Sequence, residues 1–319
     1  MKHIGIFILF FLCLTLLLLS GNLEIQGNTE EPVMWSGLGM GLLGVENITQ
    51  FNADLDTLLA NGFTKIRVHL SPYNQPGWQT MSKAGVLSAV SKGADVIWGI
   101  TGGAGPTTAA NWPNYRQAIL EAAQWAQDNG VYEFQLGNEE EMHNDDTTLT
   151  DAQLIANLKS VATEVQAIFT NGKISYSCAG VGMDTWIATG KGDIDILATN
   201  LYMGGDDSPY DNYWKSMVDK LVNAFGGDGI YFTEFAPSWS ALDDYSTDEA
   251  VQAQAVKEMI DYIKASGIER ASYFCYRDPI FGVVKEDGTY RQLWSQALLN
   301  TGNTKFDATP TKTTTKCHY

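Results

Sequence analysis

Residues 132–141 read YEFQLGNEEE, and residues 229–238 read GIYFTEFAPS. Each stretch is a short run of aromatic and aliphatic residues with the composition of a buried strand. Each reaches a carboxylic acid at or near its end, Glu139 in the first and Glu234 in the second. Whether these two acids can meet depends on what the chain does around them.

Working outward, six further apolar runs have strand character: Met34–Leu42, Phe63–Leu70, Ala94–Thr101, Lys173–Gly180, Ile194–Met203 and Ala271–Tyr276. Helical patterns lie between them. Phe51, Leu55, Leu58 and Leu59 follow the helical period, and Gly62 stops that helix. Thr150 with Gln153, and Ser246 with Glu249, have capping-box spacing. The first pair leads into Leu154, Leu158, Val161 and Val165, closed by Gly172; the second leads into Val256, Met259, Ile260 and Ile263, closed by Gly267. Eight strands, each followed by a helix or a helix-sized gap, predict an α/β protein built as a (β/α)8 TIM barrel over residues 33–302. The strands are nearly continuous in apolar residues, as expected of parallel strands covered on both faces. A doubly wound sheet would carry a Gly-rich phosphate turn after an early strand. The nearest candidate, Gly102-Gly103-Ala104-Gly105, lacks the spacing and reads as a flexible loop.

The chain of 319 residues has a formal charge of −17 and 45 % apolar residues. No basic stripe exists to neutralise phosphates, which argues against nucleic acid. The balance suits a neutral substrate, and a monomer is expected. Residues 1–27 open with Met1-Lys2-His3, run apolar from Ile4 to Leu19 and turn small and polar at Ser20-Gly21-Asn22. That is the layout of an export signal, with an uncleaved membrane anchor as the alternative. Either reading puts the remaining chain outside the cytoplasm, secreted or held at a membrane. Residues 303–319 are Thr/Lys-rich and read as a flexible tail. Cys13 and Cys317 fall in these terminal segments. Cys178 and Cys275 sit on predicted strands three places apart, too far for a disulfide when neighbouring strands are about 4.8 Å apart, so both read as buried small hydrophobes. Asn47-Ile48-Thr49 is a glycosylation acceptor in a eukaryotic host.

In a barrel of this kind the C-terminal ends of the strands build the active site. Arg67-Val68-His69, Asn138-Glu139, Asn200-Leu201-Tyr202, Glu234 and Tyr276-Arg277-Asp278 all fall at such ends. Two carboxylic acids facing one another across a cleft are what hydrolysis of a glycoside requires. The combination of Arg67, Asn138-Glu139, Tyr202 and Glu234 resembles the clan A glycoside hydrolases, most closely the cellulase-like family 5. The chain departs from that pattern at several places. Glu140 stands where a proline often follows the acid, and Asn200 replaces the usual His two residues before Tyr202. The third strand ends without the usual His, and Tyr276 stands near where a Trp usually closes the sugar site.

The resemblance implies a retaining mechanism on a β-linked polysaccharide or oligosaccharide. Glu139 would be the general acid/base and Glu234 the nucleophile, with Arg67 and Tyr202 donating to Glu234 and Asn138 holding the sugar 2-hydroxyl. The alternatives are a non-catalytic carbohydrate-binding barrel and a metal-dependent hydrolase on the same fold. The second would need several His at strand ends, and the chain has four in all, with His3 and His318 in the termini. No metal and no cofactor are expected. Glu140 crowds Glu139 in what reads as an acidic loop, and Glu141, His143, Asp145 and Asp146 read as a surface cluster rather than a cation site. His69 reads equally as a packed residue or a participant. Trp78, Trp112, Trp186, Trp214 and Trp239 fall in or near strand-to-helix connections, where an indole can offer a platform to a sugar's C–H face. Trp239, soon after Glu234, is the best subsite candidate, and Tyr276 is a second; Trp125 and Trp294 read as packing residues on helices.

Overall fold

The computed structural model describes residues 35–102, 107–142, 148–203, 213–237, 249–278, 281–285, 287–291 and 297–298. All lie in the unit Met34–Tyr319; the unit Met1–Val33 and the tail 303–319 lie outside the described residues. Eight parallel strands form the sheet: β1 (Leu38–Leu42), β2 (Lys65–Val68), β3 (Asp95–Thr101), β4 (Glu133–Asn138), β5 (Lys173–Cys178), β6 (Ile196–Met203), β7 (Ile230–Pro237) and β8 (Ala271–Tyr273). Each pairs with its neighbours in sequence, and β8 returns to β1 with Leu38 opposite Ala271, so the sheet closes on itself. A two-residue strand, Ser71–Pro72, extends the pairing along β3. Helices α1 (Ile48–Ala60), α2 (Pro76–Ser91), α3 (Trp112–Asp128), α4 (Asp151–Gln166), α5 (Met183–Thr189), α6 (Tyr213–Phe225) and α7 (Glu249–Ala265) fill the crossovers. The fold is a (β/α)8 barrel.

Local chemistry sets the helix limits. The Asn47 side chain caps α1 by accepting the Gln50 N–H at 3.1 Å, and the helix buries Phe51, Leu55 and Leu58. Gly62 then takes a φ of +88°, which turns the chain into β2 at little steric cost. Thr150 and Gln153 form the reciprocal capping box at the start of α4. That helix ends at Gln166, however, and Gly172 does not close it. Gly172 instead lies against the Tyr132 carbonyl, where a Cβ would sit 1.8 Å from the oxygen. Gly267 turns at a φ of +77° just beyond α7. The Ser246 partner of the second capping pair is outside the described residues. Cys178 and Cys275 are buried, and neither is in a disulfide.

The strands depart from the all-apolar expectation on one face. Along β4, Phe134 and Leu136 pack toward the helices, while Glu133 and Gln135 alternate with them and are fully buried. Ser175 and Ser177 on β5, and Thr233 on β7, are likewise buried. At the N-terminal end of the barrel Glu133 accepts from the Tyr231 hydroxyl at 2.6 Å and pairs with Arg270, whose guanidinium lies 4.2 Å from the centre of the Tyr231 ring. Higher up, Ser177 and Thr233 exchange a hydrogen bond of 2.7 Å between hydroxyls. The inside of the barrel thus carries a stack of buried polar side chains, most of them paired, and the apolar core lies between strands and helices.

Candidate active site

The C-terminal end of the barrel gathers Arg67, Asn138, Glu139, Tyr202 and Glu234. Arg67 projects from β2 and is 4 % exposed. Its guanidinium reaches three acceptors: Glu234 Oε1 from Nη1 at 2.8 Å, Asn138 Oδ1 from Nη2 at 2.9 Å and Gln135 Oε1 from Nε at 3.0 Å. The other Glu234 oxygen, Oε2, accepts from the Tyr202 hydroxyl at 2.6 Å. One carboxylate therefore holds a guanidinium on one oxygen and a phenol on the other.

Glu139 has the opposite setting. It follows β4 directly with a φ of +54°, the sole non-glycine residue of positive φ among the described residues. Its backbone N–H donates to the Ser177 carbonyl at 2.7 Å, which holds the turn against β5. Burial pushes its carboxyl up from 4.5 to about 7, and the negative charge of Glu234 pushes the same way, against the weaker pull of Asn200 and Arg67. The two carboxyl groups thus have unlike surroundings, one bonded to a guanidinium and a phenol and the other pushed toward its protonated form.

Asn200 stands behind this pair and is 7 % exposed. Its Oδ1 accepts from Thr233 and Ser177 hydroxyls at 2.8 and 3.2 Å. That leaves Nδ2 as the face turned to Glu139, near enough to favour its charged form without closing a short hydrogen bond. His69, just past β2, stacks on Trp78 with ring centres 5.1 Å apart. Burial and the Arg67 charge lower its pKa to about 4, so it is a neutral, packed wall of the site.

Several expected site residues are placed differently. Tyr276 is fully buried, with its hydroxyl 3.2 Å from that of Tyr290, and offers no face to a sugar. The regular pairing of β8 stops at Tyr273, although the Phe274 N–H still donates to the Phe235 carbonyl at 3.1 Å and the Tyr276 N–H to the Gly41 carbonyl at 2.9 Å. Phe274 takes the position beside Tyr202, edge-on at 6.4 Å. Arg277 folds back onto Asp54 of α1 through two hydrogen bonds of 2.9 and 2.7 Å, so it belongs to the scaffold. Trp186 and Trp214 are buried and cannot serve as platforms. Trp78 and Trp112 are half-buried. Trp239, His143, Asp145, Asp146 and Trp294 lie outside the described residues. Glu140 and Glu141 are not a solvated loop or a surface cluster, being 2 % and 4 % exposed. Gln135 carried no expectation, although its place two residues after Glu133 in an apolar strand is the period-two signal of an inward polar face.

A separate cavity of about 600 Å³ opens at the N-terminal end, lined by Lys65, Tyr132, Lys173, Ile230 and Arg270 among others. Its cations are engaged by the protein: Lys65 donates to the Ser36 carbonyl, Lys173 faces Asp195, and Arg270 pairs with Glu133. Among the described residues no cluster of three His, Cys, Asp or Glu side chains is placed to hold a metal ion.

The sequence matches no protein-family model and no curated protein. Solved structures share the fold. A family 5 xyloglucanase from Paenibacillus pabuli superposes with a TM-score of 0.62 at 15 % identity, covering 83 % of this chain and 98 % of its own. A glycoside hydrolase 5 lichenase from Caldicellulosiruptor, in complex with cellotetraose, gives 0.58 at 13 % identity over 79 % and 84 % of the two chains. A β-glucuronidase from Parabacteroides merdae gives 0.59 at 13 % identity over 82 % of this chain, which spans 36 % of that longer protein. At these identities the likeness is one of fold.

Proposed function

We propose that the protein is a retaining β-glycosidase that hydrolyses a β-linked polysaccharide or oligosaccharide by double displacement. The observation that carries this reading is the unequal setting of two carboxyl groups at one end of the barrel. Glu234 is held by Arg67 and Tyr202, while Glu139 is buried, faces a like charge and keeps its proton up to about pH 7. The glycanases and glycosidase that share the fold support a β-glycan as the substrate class.

In this reading Glu234 attacks the anomeric carbon while Glu139 protonates the departing glycosidic oxygen. The bond to the leaving group breaks as the Glu234 ester forms. Glu139, now a carboxylate, takes a proton from water. The resulting oxygen nucleophile displaces Glu234 from the opposite face, and two inversions give net retention. With Asn138 Oδ1 committed to Arg67, its Nδ2 is the atom left to donate to the sugar 2-hydroxyl. Trp78, Trp112 and Trp239 are the candidate sugar platforms. The export-type segment at residues 1–27 supports action outside the cytoplasm.

A panel of β-linked polysaccharides with product sizing tests the activity, and a 2-fluoro glycoside tests the mechanism. The label should fall on Glu234 alone and vanish in Glu234→Gln, and proton NMR should detect the β-anomer first. Release of the α-anomer first from a β-linked substrate would mean direct displacement by water and a different role for Glu234.

A further inference from the structure

The three consecutive glutamates Glu139, Glu140 and Glu141 point in three directions, and the second and third are built into the scaffold. Glu140 receives the Gly102 N–H at 2.8 Å, the Tyr115 hydroxyl at 3.0 Å, the Thr107 hydroxyl at 3.1 Å and the Asn138 N–H at 3.3 Å. Glu141 receives Trp186 Nε1–H at 2.6 Å, the Tyr176 hydroxyl at 2.7 Å and the Ala179 N–H at 3.2 Å. The Tyr176 hydroxyl also accepts the Glu140 backbone N–H at 3.2 Å, which ties the two anchors together. Every one of these groups can donate, and none of them needs a proton from the carboxyl. Burial nevertheless raises the pKa of both carboxyls, and these hydrogen bonds pull the other way.

The anchors pull to opposite sides. Glu140 fastens the end of β4 to the segment after β3 and to α3, and Glu141 fastens it to β5 and α5. Their pockets depend on missing side chains: a Cβ on Gly102 would lie 2.2 Å from Glu140 Oε2, and one on Gly182 would lie 2.8 Å from Glu141 Cγ. Gly102 is thus a cradle for a carboxylate, and the other residues of the expected loop, Gly103, Ala104 and Gly105, lie outside the described residues. Glu139 sits between the strand and these two anchors, in a left-handed backbone conformation that an L-residue adopts at a cost unless its neighbours impose it.

We propose that Glu140 and Glu141 are positioning residues that impose the turn at Glu139 and so aim the acid/base carboxyl into the cleft. This rests on the glycosidase reading for the role of Glu139, while the geometry of the anchors stands apart from it. The Glu141 carboxyl also acts on Glu139 through its charge, in the same sense as Glu234 on β7 and against Arg67 on β2 and Asn200 on β6.

The test compares Glu140→Gln and Glu141→Gln with wild type on two substrate classes, alkyl or sugar leaving groups that need protonation and dinitrophenyl leaving groups that do not. A misaimed acid should cost on the order of 10²-fold in kcat/KM, which reads formation of the glycosyl-enzyme, on the first class and only a few-fold on the second. Labelling of Glu234 by a 2-fluoro dinitrophenyl glycoside should proceed at close to the wild-type rate. Equal losses on both classes, or no loss on either, would overturn the proposal. Should the Gln variants fail to fold, Tyr115→Phe and Tyr176→Phe each remove one donor hydroxyl and should give the same leaving-group dependence in smaller measure. Titration of the Glu139 carboxyl by ¹³C NMR reads the arrangement without turnover. Glu141→Gln should lower its pKa, and an unchanged value counts against the proposal. A wild-type protein inactive on every substrate, but with that shift intact, would sink the glycosidase reading alone.

Discussion

Replacing Glu139 by Gln should make the protein more stable at neutral pH. The Glu139 carboxyl titrates at about 7 in the folded chain against 4.5 for the ordinary side chain, with burial as the main cause and the Glu234 charge next. The native state therefore binds this proton more tightly than the unfolded state does. The stability that proton contributes is complete below about pH 4.5 and is lost as pH rises through about 7, where the fold must hold a carboxylate it disfavours. A gap of about 2.5, at about 1.4 kcal/mol for each pKa unit, puts the penalty near ~3 kcal/mol at pH 8 and near zero at pH 4. Gln has the same shape, carries no charge at any pH and keeps an oxygen that can accept from Asn200. Urea unfolding of both proteins across that pH range supplies the difference from the midpoints and slopes. The gain for Glu139→Gln should grow with pH and level off above 7. A gain of constant size, or a variant less stable than wild type at pH 8, would refute the account of why this carboxyl is raised.

Arg67→Met should destabilise the fold by about 3–5 kcal/mol in the same assay, because it leaves the Glu234 carboxylate buried without its cation. Arg67→Lys should restore little of this, since one ammonium cannot span Glu234, Asn138 and Gln135 together. Asn200→Leu removes an amide that favours the charged form of Glu139, so the basic limb of the kcat/KM profile should move to higher pH; a limb that stays put would show that Asn200 does not act on Glu139.

The barrel was legible because strand and helix periods differ, and because glycines and capping pairs mark the joints. Thr150 with Gln153 is local chemistry, and local chemistry can be read from adjacent residues. Glu140 and Glu141 were misread for the converse reason. A run of acids looks solvated when only its neighbours in sequence are considered. The groups that bury this run come from Gly102, Thr107, Tyr115, Tyr176, Ala179 and Trp186, and only closure of the barrel brings them together. Trp186 was misread with them: its indole N–H serves a carboxylate in the scaffold, so it has no face left for a ligand. Tyr276 was misread because its ring is buried and its hydroxyl meets that of Tyr290, a contact between residues fourteen apart that the strand pattern does not reveal.

The two carboxyl groups are held by different means, and this bears on how the site can change. Glu234 is fixed by Arg67, which is fixed in turn by Gln135 and Asn138, so strands β2, β4 and β7 are locked by a single guanidinium inside the barrel. Nothing at that position depends on a loop. Glu139 is fixed from outside the barrel, by a turn that buried anchors in the surrounding helices and connections hold in place. Changes in α3, α5 or the segment after β3 therefore reach Glu139 first, through its turn. Any change to Arg67, by contrast, would disturb both the cleft and the barrel that supports it.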